Sequence, residues 1–377
     1  MLEYVSPRAI DIDPNRLQRA YDLATEWTAA VGDKPALMPA AAIIVGRHGK
    51  AVEPKFFGKQ GTTKDSPRIR RDALFLIASL TKPITYLGAM ILVERGLLGL
   101  SDPVTRYIPD FAAHHKEQTL VQHLFTHTSG LPDMLKNNID LRRQHAPLSK
   151  FIEGAIRDTV PKFAAGTNLS YQSMGTLIVA ELIQRISGLS IGDFLHKEIF
   201  EPLGLLSSAL GIRKLARERV TQLQTPDSPG VDHYGWNSRY WQELGVPWGG
   251  MYSTPDDYAV LCQVMLNGGH YGNVRLVSAA TVAKMTTNRL NDFPDLPESI
   301  RRTRPWGLGW QINHPATEGT LGDLLPPSAY GHLGSTGTLF WIDPERQAFC
   351  ILFTTMERDR APWRLVHLSN AVAASLV

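Results

Sequence analysis

Hydrophobic positions change their spacing twice along the chain, and those changes outline a fold. Near the start, Leu17, Tyr21, Ala24, Trp27 and Val31 recur at helical intervals behind Asp13-Pro14, an N-cap followed by proline at the first helical position. An opening amphipathic helix is predicted there. The stretch PAAAIIVGRHGKAVEPKFFGKQ (residues 39–60) then reads as two strand-like runs around His48-Gly49, a hairpin signal. Strand patterns return only in AYGHLGSTGTLFWIDPERQAFCILFTTM (329–356), as two runs joined by a turn at Asp343-Pro344-Glu345-Arg346, and APWRLVHLSNAVAASLV (361–377) closes the chain as a helix. The long middle is helical with many breaks; GTLIVAELIQRISG (175–188) is its clearest helix, with Gly188 as the stop. Strands at both ends around a helical middle predict an α/β (α+β) architecture, an antiparallel sheet flanked by helices with a helical region inserted. The expected division is a sheet domain from residues 1–100 and 245–377 and a mainly helical domain over 101–244.

One apolar stretch, LFLIASLTKPITYLGAMILVERGLLGL (74–100), holds two candidates for chemistry. Proline is tolerated only in the first turn of a helix, so Pro83 predicts that the helix through Tyr86, Met90 and Leu97 begins near Ser79-Leu80. Ser79 then stands at the positive end of the helix dipole, with Lys82 on the same face. Two readings fit: a nucleophile with its proton acceptor, or an N-cap serine with a snorkelling lysine. Ser-x-x-Lys alone does not choose between them.

Composition narrows the classes. The 377 residues are 43% hydrophobic and 20% charged, with a net charge of +3 and short, scattered basic clusters at RIRR (68–71), RKLARER (213–219) and RRTR (301–304). Solvated faces are expected, not a nucleic-acid groove. Cys262 and Cys350 lie in apolar contexts and read as buried thiols, and the adjacent His114 and His115 suit a surface loop, so no metal site is expected. The N-terminus lacks a signal-peptide pattern and no run of about 20 apolar residues occurs, which predicts a soluble, cytoplasmic protein with no membrane partner; an exported chain already processed would read the same.

The company of Ser79 decides its reading. Ser79-Leu80-Thr81-Lys82, HLFTHTSGLPDM (123–134), WGGMYSTPDDYAVL (248–261), WGLGW (306–310) and GHLGSTGTLFWIDP (331–344) follow in order and spacing. In these five segments the chain resembles the serine β-lactamase and penicillin-binding-protein superfamily, closest to its class C branch with the family VIII carboxylesterases, D-aminopeptidases and D-alanyl-D-alanine carboxypeptidases. The resemblance implies a β-lactamase/transpeptidase-like fold with the active site between the two domains, no organic cofactor, Ser79 as nucleophile and Lys82 as its proton acceptor. It implies Tyr171 of Tyr171-Gln172-Ser173 as the proton-shuttling hydroxyl, with either Lys82 or Tyr171 taking the serine proton. It places the third motif at His332-Leu333-Gly334, with the amides of Ser79 and Ser335 as the oxyanion hole and Gly334 letting substrate approach the strand.

Two departures bear on substrate. Ser173 stands where β-lactamases carry an asparagine amide that contacts the antibiotic, and His332 replaces a permanent cation with a group near half-charge at most around neutral pH. Both favour a neutral ester. The aromatic stretch HYGWNSRYWQELGVPWGG (233–250) is expected to lead into the cleft and wall it with Trp236 and Trp241. Gly188-Leu189-Ser190-Ile191-Gly192 matches a nucleophile elbow, yet a helix precedes Ser190 where a strand is required, so Ser190 reads as a helix cap. The expected activity is acyl-enzyme hydrolysis of a small ester or amide, with a carboxylesterase ahead of a β-lactamase, D-aminopeptidase or carboxypeptidase. A silent binding module of the same fold is the rival from another class.

Overall fold

Both ends of the chain meet in one antiparallel sheet. In the computed structural model, which describes residues 2–32, 35–225, 231–317 and 319–377, the strand Ala40–Arg47 pairs with Ala348–Thr354, Ile44 opposite Ile351. The sheet continues through Thr338–Asp343 and Tyr330–Gly334 to Gln311–Ile312, while Lys50–Ala51 and Lys55–Gly58 fold back on the first strand. His48 and Gly49 close the first hairpin with left-handed φ angles of 53° and 80°. The second closes where Asp343 Oδ1 accepts the Glu345 and Arg346 amides at 3.1 and 3.2 Å.

The sheet is covered on both faces, and successive residues alternate between them. Ile43, Val45, Trp341 and Leu352 pack with Leu17, Ala20, Leu365 and Leu368 of the terminal helices Pro14–Thr28 and Trp363–Ala373. Ile44, Phe340, Ile351 and Phe353 face the opposite way, where Tyr258 of the helix Pro255–Leu266 stands edge-on to Phe340 at 5.0 Å. Strands buried on both faces read as unbroken apolar runs, as AAAIIV and AFCILF do. The helix Thr81–Glu94 packs against Met174–Ser187, and every residue from Thr81 to Leu92 is buried.

Three expectations need correction. The opening helix stops at Thr28 and leaves Val31 71% exposed, and the central helix stops at Glu94, leaving Leu97 outside it. A second sheet of three short strands, Phe75–Leu76, Met251–Ser253 and Ala209–Leu210, was not foreseen, because two or three residues cannot display a period. That small sheet delivers the chain to Ser79, the Ile77 amide donating to Met251 O at 3.1 Å. Ser190 is a cap as expected, its Oγ accepting the Asp193 amide at 3.1 Å at the start of Ile191–Leu195.

Candidate active site

Ser79 precedes the helix instead of capping it. It lies in a single 3₁₀ turn, Ala78–Leu80, and the α-helix begins at Thr81. Ala78 holds a left-handed φ of 48°, sparsely populated for a residue with a Cβ, so the surroundings must impose the turn. They do so through hydroxyls. Thr81 Oγ1 donates to Ala78 O at 2.7 Å and accepts the Met251 amide at 3.1 Å. Thr336 Oγ1 donates to Leu76 O at 2.8 Å, and Thr338 Oγ1 donates to Ile77 O at 2.9 Å.

These bonds stitch the serine turn to the hairpin carrying Ser335, and neither the Ser79 nor the Ser335 amide makes a backbone hydrogen bond among the described residues. A Cβ on Gly334 would run into Thr338 Oγ1 and Ile77 O. The closeness that requires glycine is therefore between hairpin and serine turn, not between strand and substrate. Thr338→Val would leave the Ile77 carbonyl with the Leu80 amide at 3.2 Å as its remaining donor and is expected to cost about 0.5–1.5 kcal/mol in urea denaturation. Slower labelling of Ser79 by a fluorophosphonate should accompany that loss; an unchanged midpoint and labelling rate would show that the hydroxyl does not hold the turn.

Lys82 is 1% exposed, and its Nζ donates to Ser79 Oγ at 3.2 Å and to Trp248 O at 2.9 Å. Burial brings its pKa down to about 7, the charge of Asp133 opposing the change. Among the described residues no carboxylate pairs with it. Tyr171 lines the cleft and is 36% exposed as a residue, with its side chain next to Ser79. Burial of that phenol raises its pKa well above the ordinary tyrosine value, with the Ser79 contact opposing. The Lys82 ammonium stands 4.8 Å from the centre of the Tyr171 ring.

His332 is 2% exposed, and burial first, then the Lys82 charge, brings its pKa down to about 3. That sharpens the expectation of at most half a charge to a neutral imidazole across the neutral range. Its Nδ1 lies 2.7 Å from Leu333 O, an acceptor only, so Nδ1 carries the hydrogen and Nε2 is bare. Nε2 is buried with no partner among the described residues.

The cleft around these groups measures about 930 Å³. Ser79, Tyr171, Ser173, His332 and Ser335 line it together with Trp236, Trp241 and Trp248, so the aromatic stretch does reach the site. Tyr240 does not: its hydroxyl donates to Ala146 O at 2.8 Å and its ring stacks on His145. Gly334 is not among the lining residues. Ser173 lines the cleft but has its polar atoms engaged, since its amide and Oγ both donate to Asp133 Oδ1, at 2.8 and 2.7 Å. Asp133, His127, Trp306 and Arg358 had no role in the sequence reading, although the first three lie within segments that carried the resemblance. Asp133, Trp306 and Arg358 line the cleft. Among the described residues no group of three or more His, Cys, Asp or Glu could hold a metal ion.

A sheet completed by both termini, a Ser-x-x-Lys turn with its lysine buried and a facing tyrosine define the class, and comparison with known proteins agrees. A penicillin-binding-protein homologue from Caulobacter crescentus superposes with a TM-score of 0.76 at 23% identity, over 97% of this chain and 99% of that one. A family VIII carboxylesterase superposes with a TM-score of 0.74 at 20% identity, over 94% and 96%. A Salmonella agona protein provisionally named a D-alanyl-D-alanine carboxypeptidase is 29% identical over 301 residues, 72% of this chain and 67% of its own. The beta-lactamase family model matches residues 28–371, and the chain belongs to that family. It is a serine hydrolase of the β-lactamase and penicillin-binding-protein superfamily, whose members act on small esters and amides.

Proposed function

We propose that this protein is a carboxylesterase for small or short-acyl neutral esters, working through an acyl-enzyme on Ser79. The observation that carries the reading is His332, a buried neutral imidazole where a β-lactam-recognising site would present a fixed cation. Lys82, neutral in about half the molecules at pH 7, takes the Ser79 proton as Oγ attacks the ester carbonyl. The Ser79 and Ser335 amides receive the oxyanion. Tyr171, too weak an acid to rest as phenolate, donates its proton to the departing alkoxide and is reprotonated from the Lys82 ammonium. Water then attacks the acyl-enzyme by the reverse relay, releasing the carboxylic acid and restoring the Ser79 hydroxyl.

A second reading, D-alanyl-D-alanine carboxypeptidase, has one observation in its favour: Arg304 and Arg358 line the cleft and would suit a terminal carboxylate. Arg358, however, donates from Nε to Asp359 at 3.0 Å. A panel of p-nitrophenyl esters of rising acyl length, a chromogenic cephalosporin and D-alanyl anilides, with Ser79→Ala as control, separates these readings from each other, from a β-lactamase or D-aminopeptidase, and from a silent module. Ester turnover should dominate; faster turnover of the cephalosporin or the anilides would overturn the substrate assignment. Trp236→Ala and Trp241→Ala should shift the preferred acyl length, and an unchanged profile would remove both from the acyl site.

A further inference from the structure

His127 stands one contact away from the reacting groups and touches the chain on both sides of Tyr171. Its carbonyl accepts the Ser170 amide at 3.0 Å, and its Nδ1 accepts the Gln172 amide at 3.3 Å. Between those bonds its ring packs on the Tyr171 ring, centroids 4.6 Å apart and planes 41° apart. On another side Trp306 meets it edge-on at 4.6 Å. The residue before Tyr171, the residue after it and the phenol itself are thus all held by one side chain and its own carbonyl.

His127 is 1% exposed. Burial, reinforced by the neighbouring Lys82, holds its pKa well below the ordinary value, so the ring is neutral. Because Nδ1 accepts a hydrogen bond, the hydrogen sits on Nε2, which is buried with no partner among the described residues. A neutral ring with its only lone pair committed to a backbone amide cannot relay protons. What it can do is fix a geometry. Its backbone φ of 59° is left-handed, a conformation that persists in a residue with a Cβ only where neighbours dictate it.

We infer that His127 is a positioning residue for the reaction, holding the Tyr171 hydroxyl against Ser79. The inference rests on the proposed relay through Tyr171. Its rival is that His127 merely fills a core, and the two differ in whether its loss acts through the tyrosine hydroxyl.

The test is a double-mutant cycle on ester turnover: His127→Ala and His127→Asn, each in the wild-type and the Tyr171→Phe backgrounds, with thermal unfolding of all variants. Displacing a reacting group by about an ångström can cost about 10²-fold, so His127→Ala is expected to lower kcat by about that factor with KM little changed. Asparagine tolerates a left-handed backbone and keeps an acceptor for the Gln172 amide, so His127→Asn should recover part of the loss. In the Tyr171→Phe background, where no hydroxyl remains to position, His127→Ala should cost about twofold or less. An equal loss in both backgrounds, or full wild-type kcat in His127→Ala, overturns the inference. Should His127→Ala fail to fold, His127→Asn carries the same comparison. Wild-type kcat in Tyr171→Phe alone would instead overturn the relay, a separate outcome.

Discussion

Ser79→Ala is expected to lose ester turnover by on the order of 10⁴–10⁶-fold while unfolding at the temperature of the wild type. Two neighbouring hydroxyls are unavailable as substitutes. Thr81 Oγ1 is bonded to Ala78 O and the Met251 amide, and Ser173 Oγ to Asp133. The 3₁₀ turn is shaped by the carbonyls of Leu76, Ile77 and Ala78, none of which needs the Ser79 side chain. Stability should therefore be spared. Initial rates with p-nitrophenyl esters, together with intact mass after fluorophosphonate treatment, give the answer. Substantial turnover by the purified variant would remove Ser79 from the chemistry.

Lys82→Met should reduce turnover by at least about 10³-fold, within the range a positioned general base supplies. The wild-type pH profile carries the same information. With a Lys82 pKa of about 7, the amine is charged and useless as a base below that value and neutral above it. The kcat/KM profile should rise through about pH 7 to a plateau on the alkaline side. His332, at about 3, is already neutral over this range and adds no second limb between pH 5 and 7. The unfolded chain, with lysine near its ordinary value, binds more protons than the folded one between pH 7 and about 10.5, so burying this amine disfavours folding most at and below pH 7. Methionine removes that handicap and keeps the apolar stem, so the variant should melt at or above the wild-type temperature at pH 6. A flat kcat/KM profile between pH 5.5 and 8.5, or a variant retaining a tenth of wild-type activity, would show that Lys82 is not the proton acceptor.

The sequence disclosed whatever has a short-range signature. The Asp13-Pro14 helix start, the His48-Gly49 hairpin and the apolar strand runs are each written within a dozen residues. Ser79, Lys82, Tyr171 and His332 stood out because five ordered segments resemble a family; in the structure Ser79, Tyr171 and His332 line one cleft, with Lys82 buried behind Ser79. Other features depend on distant partners. Nothing near Asp133 announces that it engages the amide and hydroxyl of Ser173, forty residues on. Ala78 carries no hint of its left-handed backbone, because alanine does not favour one and hydroxyls some 260 residues away help impose it. For His332 the sequence set only an upper bound of about half a charge, because burial cannot be seen in a lone histidine on a strand.

Those same threonine bonds set an order of events during synthesis. Thr336 and Thr338 follow Leu76 and Ile77 by 260 and 261 residues, and the strand Ala348–Thr354 that pairs beside Ala40–Arg47 comes later still. On the ribosome, then, Ser79 emerges well before the hairpin that holds its turn and stays without those bonds until residues 336–354 have been made. Chains cut before Thr336 would carry Ser79 without these bonds, so acylation of this serine is expected to require the segment through Thr354.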